Sequence, residues 1–249
     1  MECENKITVV SGCLLSREAV VESSGLDDIL DSLLCSQIFA SKEAVKFDTP
    51  ADWLKVHDAA MIKMMWKLDE ASSLPIKPAD GIITISQLVE RKILSKFPIG
   101  PAAEVQKMMS SIAASQNDAA NALFHQHVVQ AGPDKASTVV LQISYLGPRL
   151  KLYTFYLTFK TSAVIGGDLF GQSFSNLDIV DMILRFDERT WDPVRYKKVR
   201  DQVKSFLKDK RIGLILPVSC VLPEPEPEPE PEPGPSTEDQ GEHDERRIL

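Results

Sequence analysis

The sequence predicts an α+β protein in which N-terminal amphipathic helices pack on a C-terminal antiparallel sheet, followed by a disordered acidic tail. Three observations lead to this fold class. Apolar residues recur at helical spacing through much of the first 130 residues, β-branched and aromatic runs follow, and the chain closes on a Glu-Pro repeat. Helices grouped before strands favour segregated layers over alternating units with a parallel sheet.

The C-terminal repeat marks the end of the folded body. From Leu222 onward the chain has ten acidic and two basic residues, a net charge of -8 that equals the net charge of the whole chain. Alternating Glu and Pro from Pro223 to Pro233 cannot bury a core and favour extended polyproline II. We therefore predict a globular body over residues 1–221, with 1–132 and 133–221 as its helical and β-rich parts, and a disordered tail over 222–249.

The body without the tail is balanced in charge, with 26 basic and 26 acidic residues. Its total charge therefore excludes neither acidic proteins nor nucleic acid nor anionic membranes as partners. Four cysteines at wide spacing, Cys3, Cys13, Cys35 and Cys220, indicate reduced thiols rather than a zinc or redox motif. With no signal peptide and no apolar stretch of spanning length, the sequence predicts a protein that is cytoplasmic or peripheral to a membrane.

Two long amphipathic helices are predicted in the N-terminal third. In the first, Asp27 and Asp28 precede a series of leucines and isoleucines and suit a helix N-terminus. The second begins at Thr49-Pro50, where Asp52 stands three residues after the threonine as in a capping box, and continues to a stop at residues 72–78. His57 is expected to pack on the core side of this second helix.

Two further helices complete the predicted helical part. Thr84 and Gln87 form another capping pair at the start of a short helix. The long segment from Pro101 to Gln130 is rich in Ala, Ser and Met, and it is read as one helix that ends before Gly132-Pro133.

The pattern then becomes extended. The runs Thr138–Leu146 and Leu150–Ile165 flank Gly147-Pro148-Arg149 and predict an antiparallel hairpin, of which one face is core and the other partly wet. A strand-containing segment is expected over Leu177–Phe186. Short strands are also expected at Ile7–Val10 and Leu214–Val218.

The most suggestive candidate site is a basic stripe on the last helix. Asp192-Pro193 is a favourable helix start, and we predict a helix from there to Arg211. Five cations at spacings of three and four line one flank of its apolar face: Lys197, Arg200, Lys204, Lys208 and Arg211. This arrangement suits phosphate-bearing surfaces, acidic partners or membrane headgroups, although a solvated helix face explains it equally simply.

No motif in the sequence is specific enough to predict a catalytic or metal site. Gly171–Ser175 resembles a nucleophile elbow but has serine at the second glycine position. His125 and His127 stand two residues apart, so on a helix they point in nearly opposite directions. Gly166–Gly171 is glycine-rich but lacks the lysine of a phosphate loop. No catalytic residue, metal site or cofactor is predicted.

We therefore expect a non-enzymatic interaction or structural protein that docks to an anionic surface through the basic helix and is modulated by its acidic tail. Its partner would be an unidentified protein or a second copy of itself, with anionic membrane or nucleic acid as further contacts. Two alternatives stay open. One is a membrane-active, oligomerising or pore-forming protein that uses the Pro101–Gln130 and Leu150–Ile165 segments, and the other is a self-assembling viral or cellular structural protein.

Overall fold

The computed structural model describes residues 7–18, 23–76, 81–92, 99–114, 119–132 and 136–218. The predicted tail, Cys3 and Cys220 lie outside these residues, so the tail and its boundary with the body stay predictions. The elements of the first half of the chain are β1 (Ile7–Val10), β2 (Cys13–Arg17), α1 (Ser23–Glu43), α2 (Pro50–Lys63), β3 (Trp66–Pro75), β4 (Ile82–Thr84), α3 (Ile85–Lys92), α4 (Ile99–Ala114) and α5 (Ala119–Val128). Those of the second half are β5 (Val129–Ala131), β6 (Ser137–Leu146), β7 (Lys151–Thr161), β8 (Ser173–Ser175), β9 (Ile179–Trp191), α6 (Pro193–Tyr196), α7 (Arg200–Leu207) and β10 (Ile215–Pro217).

An eight-stranded mixed sheet forms the centre of the molecule. Its strand order is β10-β1-β2-β6-β7-β9-β3, and β5 pairs with one end of β6. All pairs are antiparallel except β2 and β6, which are parallel, with Leu14 opposite Ile143. Two short strands, β4 and β8, form a separate antiparallel pair.

The predicted order of N-terminal helices before a C-terminal antiparallel sheet is wrong. Strands β1 and β2 come first in the described chain and lie inside the sheet, which makes the protein a mixed α/β fold. Because β2 has only five residues, its local sequence pattern is weak, and its place is fixed by pairing with the distant β6. The division at residue 132 stays a prediction, although strands from both sides of it share this sheet.

A further correction concerns the second predicted helix, which ends earlier than residue 72. Helix α2 stops at Lys63, Met65 adopts a left-handed φ of 66°, and the chain continues as β3. Trp66 then pairs with Trp191 of β9 across the edge of the sheet. Pairing with a partner more than 100 residues away outweighs the helical spacing of the local apolar residues.

Helices cover both faces of the sheet. Along β7, Phe155, Leu157 and Phe159 belong to the core beneath α3, α4 and α5. The alternate residues Thr154 and Tyr156 face the opposite side, where α1, α2 and α7 pack, and each is only 1% exposed. The prediction that this second face is partly wet is therefore wrong, because a second helical layer covers it.

Of the two capping boxes that the sequence predicts, one forms and the other does not. The Thr84–Gln87 capping box is confirmed, since the Thr84 N–H donates to Gln87 Oε1 at 3.2 Å and the Gln87 N–H to Thr84 Oγ1 at 3.1 Å. The box predicted at Thr49 is wrong: its hydroxyl donates to the Val45 carbonyl at 3.3 Å and caps no N–H of α2. Of the described residues in the predicted Pro101–Gln130 helix, those up to Val128 belong to α4 and α5, but Val129 and Gln130 belong to strand β5, so the predicted helix end is wrong.

The predicted hairpin is confirmed as β6 and β7, joined across Gly147 and a short 3-10 turn at Pro148–Leu150. The segment Leu177–Phe186 is confirmed as strand-containing, because β9 begins at Ile179.

Gly12, in the turn between β1 and β2, lies close to the ammonium group of Lys46. Lys46 Nζ donates to the His127 carbonyl at 2.6 Å and lies 5.0 Å from the ring centroid of Trp53. Burial lowers the pKa of Lys46 to about 7. A Cβ at Gly12 would lie 2.6 Å from Lys46 Nζ and 2.8 Å from the His127 carbonyl oxygen.

Replacing Gly12 with alanine is therefore expected to lower the free energy of unfolding by about 1–3 kcal/mol, the usual cost of overpacking. Urea denaturation followed by tryptophan fluorescence measures the loss. Gly25→Ala is the matched control, because a Cβ there meets nothing within 4 Å and the position lies in α1. Equal stability of the Gly12→Ala variant and the original chain would contradict the close packing.

Candidate functional site

The segment that carries the predicted basic stripe is anchored on α1 by its apolar side. Asp192 accepts a hydrogen bond from the Arg195 N–H at 2.9 Å, which confirms the Asp-Pro helix start. Tyr196, Val203 and Leu207 are buried in the same cluster as the leucines of α1. The predicted continuous helix is wrong: α6 is followed by a turn, then α7, then a 3-10 turn at Lys208–Arg211, where Lys208 has a left-handed φ of 35°.

Two of the five predicted binding cations form ion pairs with α1. Arg200 donates through Nε to Asp28 at 2.8 Å, and Arg211 donates through Nε to Asp31 at 2.6 Å. Arg211 Nη2 also contacts Asp27. The side chains of Asp28 and Asp31 are 8% and 5% exposed, so these pairs hold the C-terminal segment on α1. Burial raises the pKa of Asp31, against the opposing effect of Arg211.

The other three cations point to solvent. Lys197, Lys204 and Lys208 are exposed, and none forms an ion pair with a described residue. We call these three side chains the lysine face. Asp201 and Asp209 are the exposed acids of the same segment and form no ion pair within the described chain, so the unpaired charge here stays positive. The lysine face borders a depression of about 290 Å³ lined by Asp27, Asp31, Lys204, Leu207, Lys208 and Arg211.

A buried charge network under α2 was not predicted from the sequence. Asp187 accepts hydrogen bonds from Arg185 Nε at 2.8 Å and from Arg189 Nη2 at 2.9 Å. Asp58 of α2 contacts both arginines, at 2.7 Å and 2.5 Å. The side chains of Asp187 and Arg189 are fully buried. Within the described chain, Nε and Nη1 of Arg189 have no hydrogen-bond partner.

Aromatic rings extend this network toward the helix. His57 stacks on Trp53 with ring centroids 4.9 Å apart, and its Nδ1 lies 3.5 Å from the Tyr156 hydroxyl. Burial, assisted by the charge of Arg189, lowers the pKa of His57 to about 3. Burial also raises the pKa of Tyr156. His57 is thus a neutral packing residue at neutral pH, as expected from the sequence.

A sequence signal for the network does exist. Arg185, Asp187 and Arg189 alternate along one strand, so they share one face, and their charges alternate in sign. The alternating apolar residues Met182, Leu184 and Phe186 are the more conspicuous feature of this segment, and they mark the opposite face of the same strand.

The other sequence candidates lie apart from one another. His125 Nε2 is 3.0 Å from the Gly166 carbonyl oxygen, and His127 is half-buried near Lys46. Ser173–Ser175 is strand β8 rather than a turn between strand and helix. Over the described ranges, no three His, Cys, Asp or Glu side chains are grouped as metal ligands would be. In the same ranges, no helix has the length and apolar character needed to cross a membrane.

Comparison with known proteins identifies no family for this chain. No protein-family model matches the chain, and no curated protein matches it. The chain is similar to a solved structure described as "Structure of the Evf virulence factor", with 7% sequence identity and a TM-score of 0.30. That likeness covers 82% of this chain and 84% of the other.

Proposed function

We propose that the protein is a non-enzymatic interaction protein that docks to an acidic segment of a partner protein through the lysine face, and that its own acidic tail competes for this surface. One observation carries the proposal: three exposed lysines remain unpaired beside two arginines that are already neutralised by α1. Arg200 and Arg211 accordingly act as structural anchors. Lys197, Lys204 and Lys208 supply the binding charge.

An acidic protein segment suits this surface better than a membrane or a nucleic acid. The apolar side of α7, including Val203 and Leu207, is buried in the core and has no free apolar face to insert into a bilayer. Phe206 is covered by Lys42 and Lys210, at 4.7 and 4.2 Å from its ring centroid, so it offers no stacking platform for bases. An extended segment of carboxylates requires only exposed positive charge for binding, and the lysine face provides this charge.

The chain itself contains such an acidic segment. The Glu-Pro run begins soon after β10, which follows the lysine face directly in the sequence. Tethering raises the effective concentration of the tail near this surface, so it can compete with an external acidic ligand. Salt would weaken both contacts, because dissolved ions screen the attraction between exposed charges, with a Debye length of about 10 Å at 0.1 M ionic strength.

The test uses a fluorescein-labelled Glu-Pro peptide and full-length protein at low salt, with binding followed by fluorescence anisotropy. Changing all three lysines of the lysine face to alanine is expected to weaken binding at least tenfold. A second variant changes the tail glutamates 224, 226, 228, 230 and 232 to glutamine and is expected to bind the peptide severalfold more tightly. The matched control changes Lys63, Lys67 and Lys107, three exposed lysines on other elements, and should bind as the unmodified protein does.

Equal losses of peptide affinity in the control and in the lysine-face variant would contradict the proposal, because binding would then depend on the overall charge of the protein alone. Lysine-dependent binding to anionic vesicles or duplex DNA without binding to the peptide would likewise overturn the acidic-protein assignment. The membrane-active and self-assembling alternatives stay predictions.

A further inference from the structure

A cleft of about 470 Å³ opens between the first turn of α2 and the opposite sheet surface. This volume lies within the range of small-molecule sites. The cleft is separate from the lysine face, and its walls come from α2, β3, β6, β7 and β9. It is lined by Pro50, Ala51, Leu54, Lys55, Ala71, Ser72, Ser73, Thr138, Thr158, Phe159, Lys160, Asp181, Ile183 and Arg185.

Unpartnered hydroxyls are the first feature that points to a ligand. Within the described chain, the side-chain hydroxyls of Thr138, Thr158 and Ser73 form no hydrogen bond, and all three residues lie on the same sheet face as Arg185. Thr158 is only 5% exposed, yet its hydroxyl is not among the fully enclosed unpaired atoms, so it is open to the cleft. Because buried polar groups nearly always have partners, the buried Thr158 hydroxyl suits a polar group of an occupant, and the more exposed hydroxyls of Thr138 and Ser73 lie beside it.

Positive charge is the second feature. Lys160 is exposed and forms no ion pair with a described residue, and Lys55 has only a solvent-exposed pair with Asp52 at 2.9 Å. Arg185 is held by the buried network, but its Nη1 has no partner in the part of the chain described. Among the described residues that line the cleft, Asp181 is the one acid, placed at the irregular β7–β9 pairing with a φ of 56°.

The first turn of α2 forms one wall of the cleft and supplies few donors to it. Pro50 has no N–H, and the N–H groups of Asp52 and Trp53 both donate to the Thr49 carbonyl, at 3.1 and 3.0 Å. Leu54 and Ile183 give the cleft an apolar portion beside these polar groups.

We propose that this cleft binds a small amphipathic organic anion, whose acidic group lies between Lys160, Lys55 and the hydroxyl side chains and whose apolar body packs on Leu54 and Ile183. The Arg185–Asp187 network fixes the floor of the site, because it holds Arg185 in one orientation. Asp181 disfavours ligands with more than one negative charge. The site does not depend on docking through the lysine face.

The probe is the monoanion 1-anilinonaphthalene-8-sulfonate, with its neutral counterpart N-phenyl-1-naphthylamine as the comparison. Full-length protein is expected to bind one sulfonate saturably and at least tenfold more tightly than the neutral compound. Lys160→Ala should remove most of that preference. Ser73→Trp, whose side chain shares the cleft face with Arg185, should block both compounds, whereas Leu74→Trp on the other face of β3 should block neither.

Three results would overturn the proposal: equal binding of the two probes, binding that does not saturate, or an affinity for the sulfonate unchanged in Lys160→Ala. Near-UV circular dichroism checks that each variant keeps its native packing. Changing the three lysines of the lysine face should leave sulfonate affinity unaltered, so failure of one proposal is distinguishable from failure of the other.

Discussion

The Asp187→Ala variant is expected to lose about 3–5 kcal/mol of the free energy of unfolding, the typical effect of breaking a buried ion pair. Asp187 is fully buried and accepts hydrogen bonds from both Arg185 and Arg189. Without its carboxylate, two guanidinium groups share Asp58 as their only described acidic partner. The loss comes mainly from the uncompensated buried charge rather than from the missing contacts.

Urea denaturation at neutral pH, followed by tryptophan fluorescence, measures this effect. Asp52→Ala is the matched control, because it removes one carboxylate from an exposed ion pair and should stay close to the unmodified protein. A double variant, Asp187→Leu with Arg189→Leu, removes an acid and a base together and should recover at least half of the loss. A double variant as unstable as Asp187→Ala would show that uncompensated charge is not the cause.

Acid is expected to destabilise the protein through His57. Burial lowers the pKa of this histidine from 6.5 to about 3 in the folded state. As the pH falls below about 6.5, the unfolded chain takes up a proton that the folded protein does not accept until about pH 3. Stability that is present above pH 6.5 is therefore lost progressively over this window.

The His57→Phe variant lacks this proton but keeps a ring against Trp53. Between pH 7 and pH 4.5, its free energy of unfolding should fall by about 2.5 kcal/mol less than that of the unmodified protein, as the linkage relation gives for these two pKa values. Urea titrations at pH 7, 6, 5 and 4.5 measure both chains. Parallel pH profiles for the two proteins would contradict the prediction, whatever constant offset the substitution itself introduces.

Sequence signals worked where a short segment contains both partners of an interaction. In the Thr84–Gln87 box and in the Asp192 cap the partners stand three positions apart, and both interactions form as predicted. The β6–β7 hairpin depends on a short connection between two strands of opposite direction, which is also a local feature. Groups that are this close in sequence can also interact in the unfolded chain, so their interaction depends little on the rest of the fold.

The signals failed where a distant partner decided the outcome. Helical spacing of apolar residues continues through Met65 to Leu68, but pairing with β9 makes the stretch from Trp66 onward an edge strand. Thr49 had a suitable capping sequence, but its hydroxyl turned to Val45. The five cations of the basic stripe lie on one segment, but Asp28 and Asp31, more than 170 residues earlier, decide which of them stay free.

The sequence alone determined that a charge-balanced body precedes an acidic Glu-Pro segment, and it placed the β6–β7 hairpin and several helix starts. Composition and short-range spacing suffice for these properties because they need no knowledge of distant neighbours. Only the tertiary structure decided that β1 and β2 enter the sheet, that helices cover both its faces, and that two arginines of the stripe are neutralised. It also created the cleft and its unpartnered hydroxyls, because a cavity lined by five elements exists only once their packing brings them together.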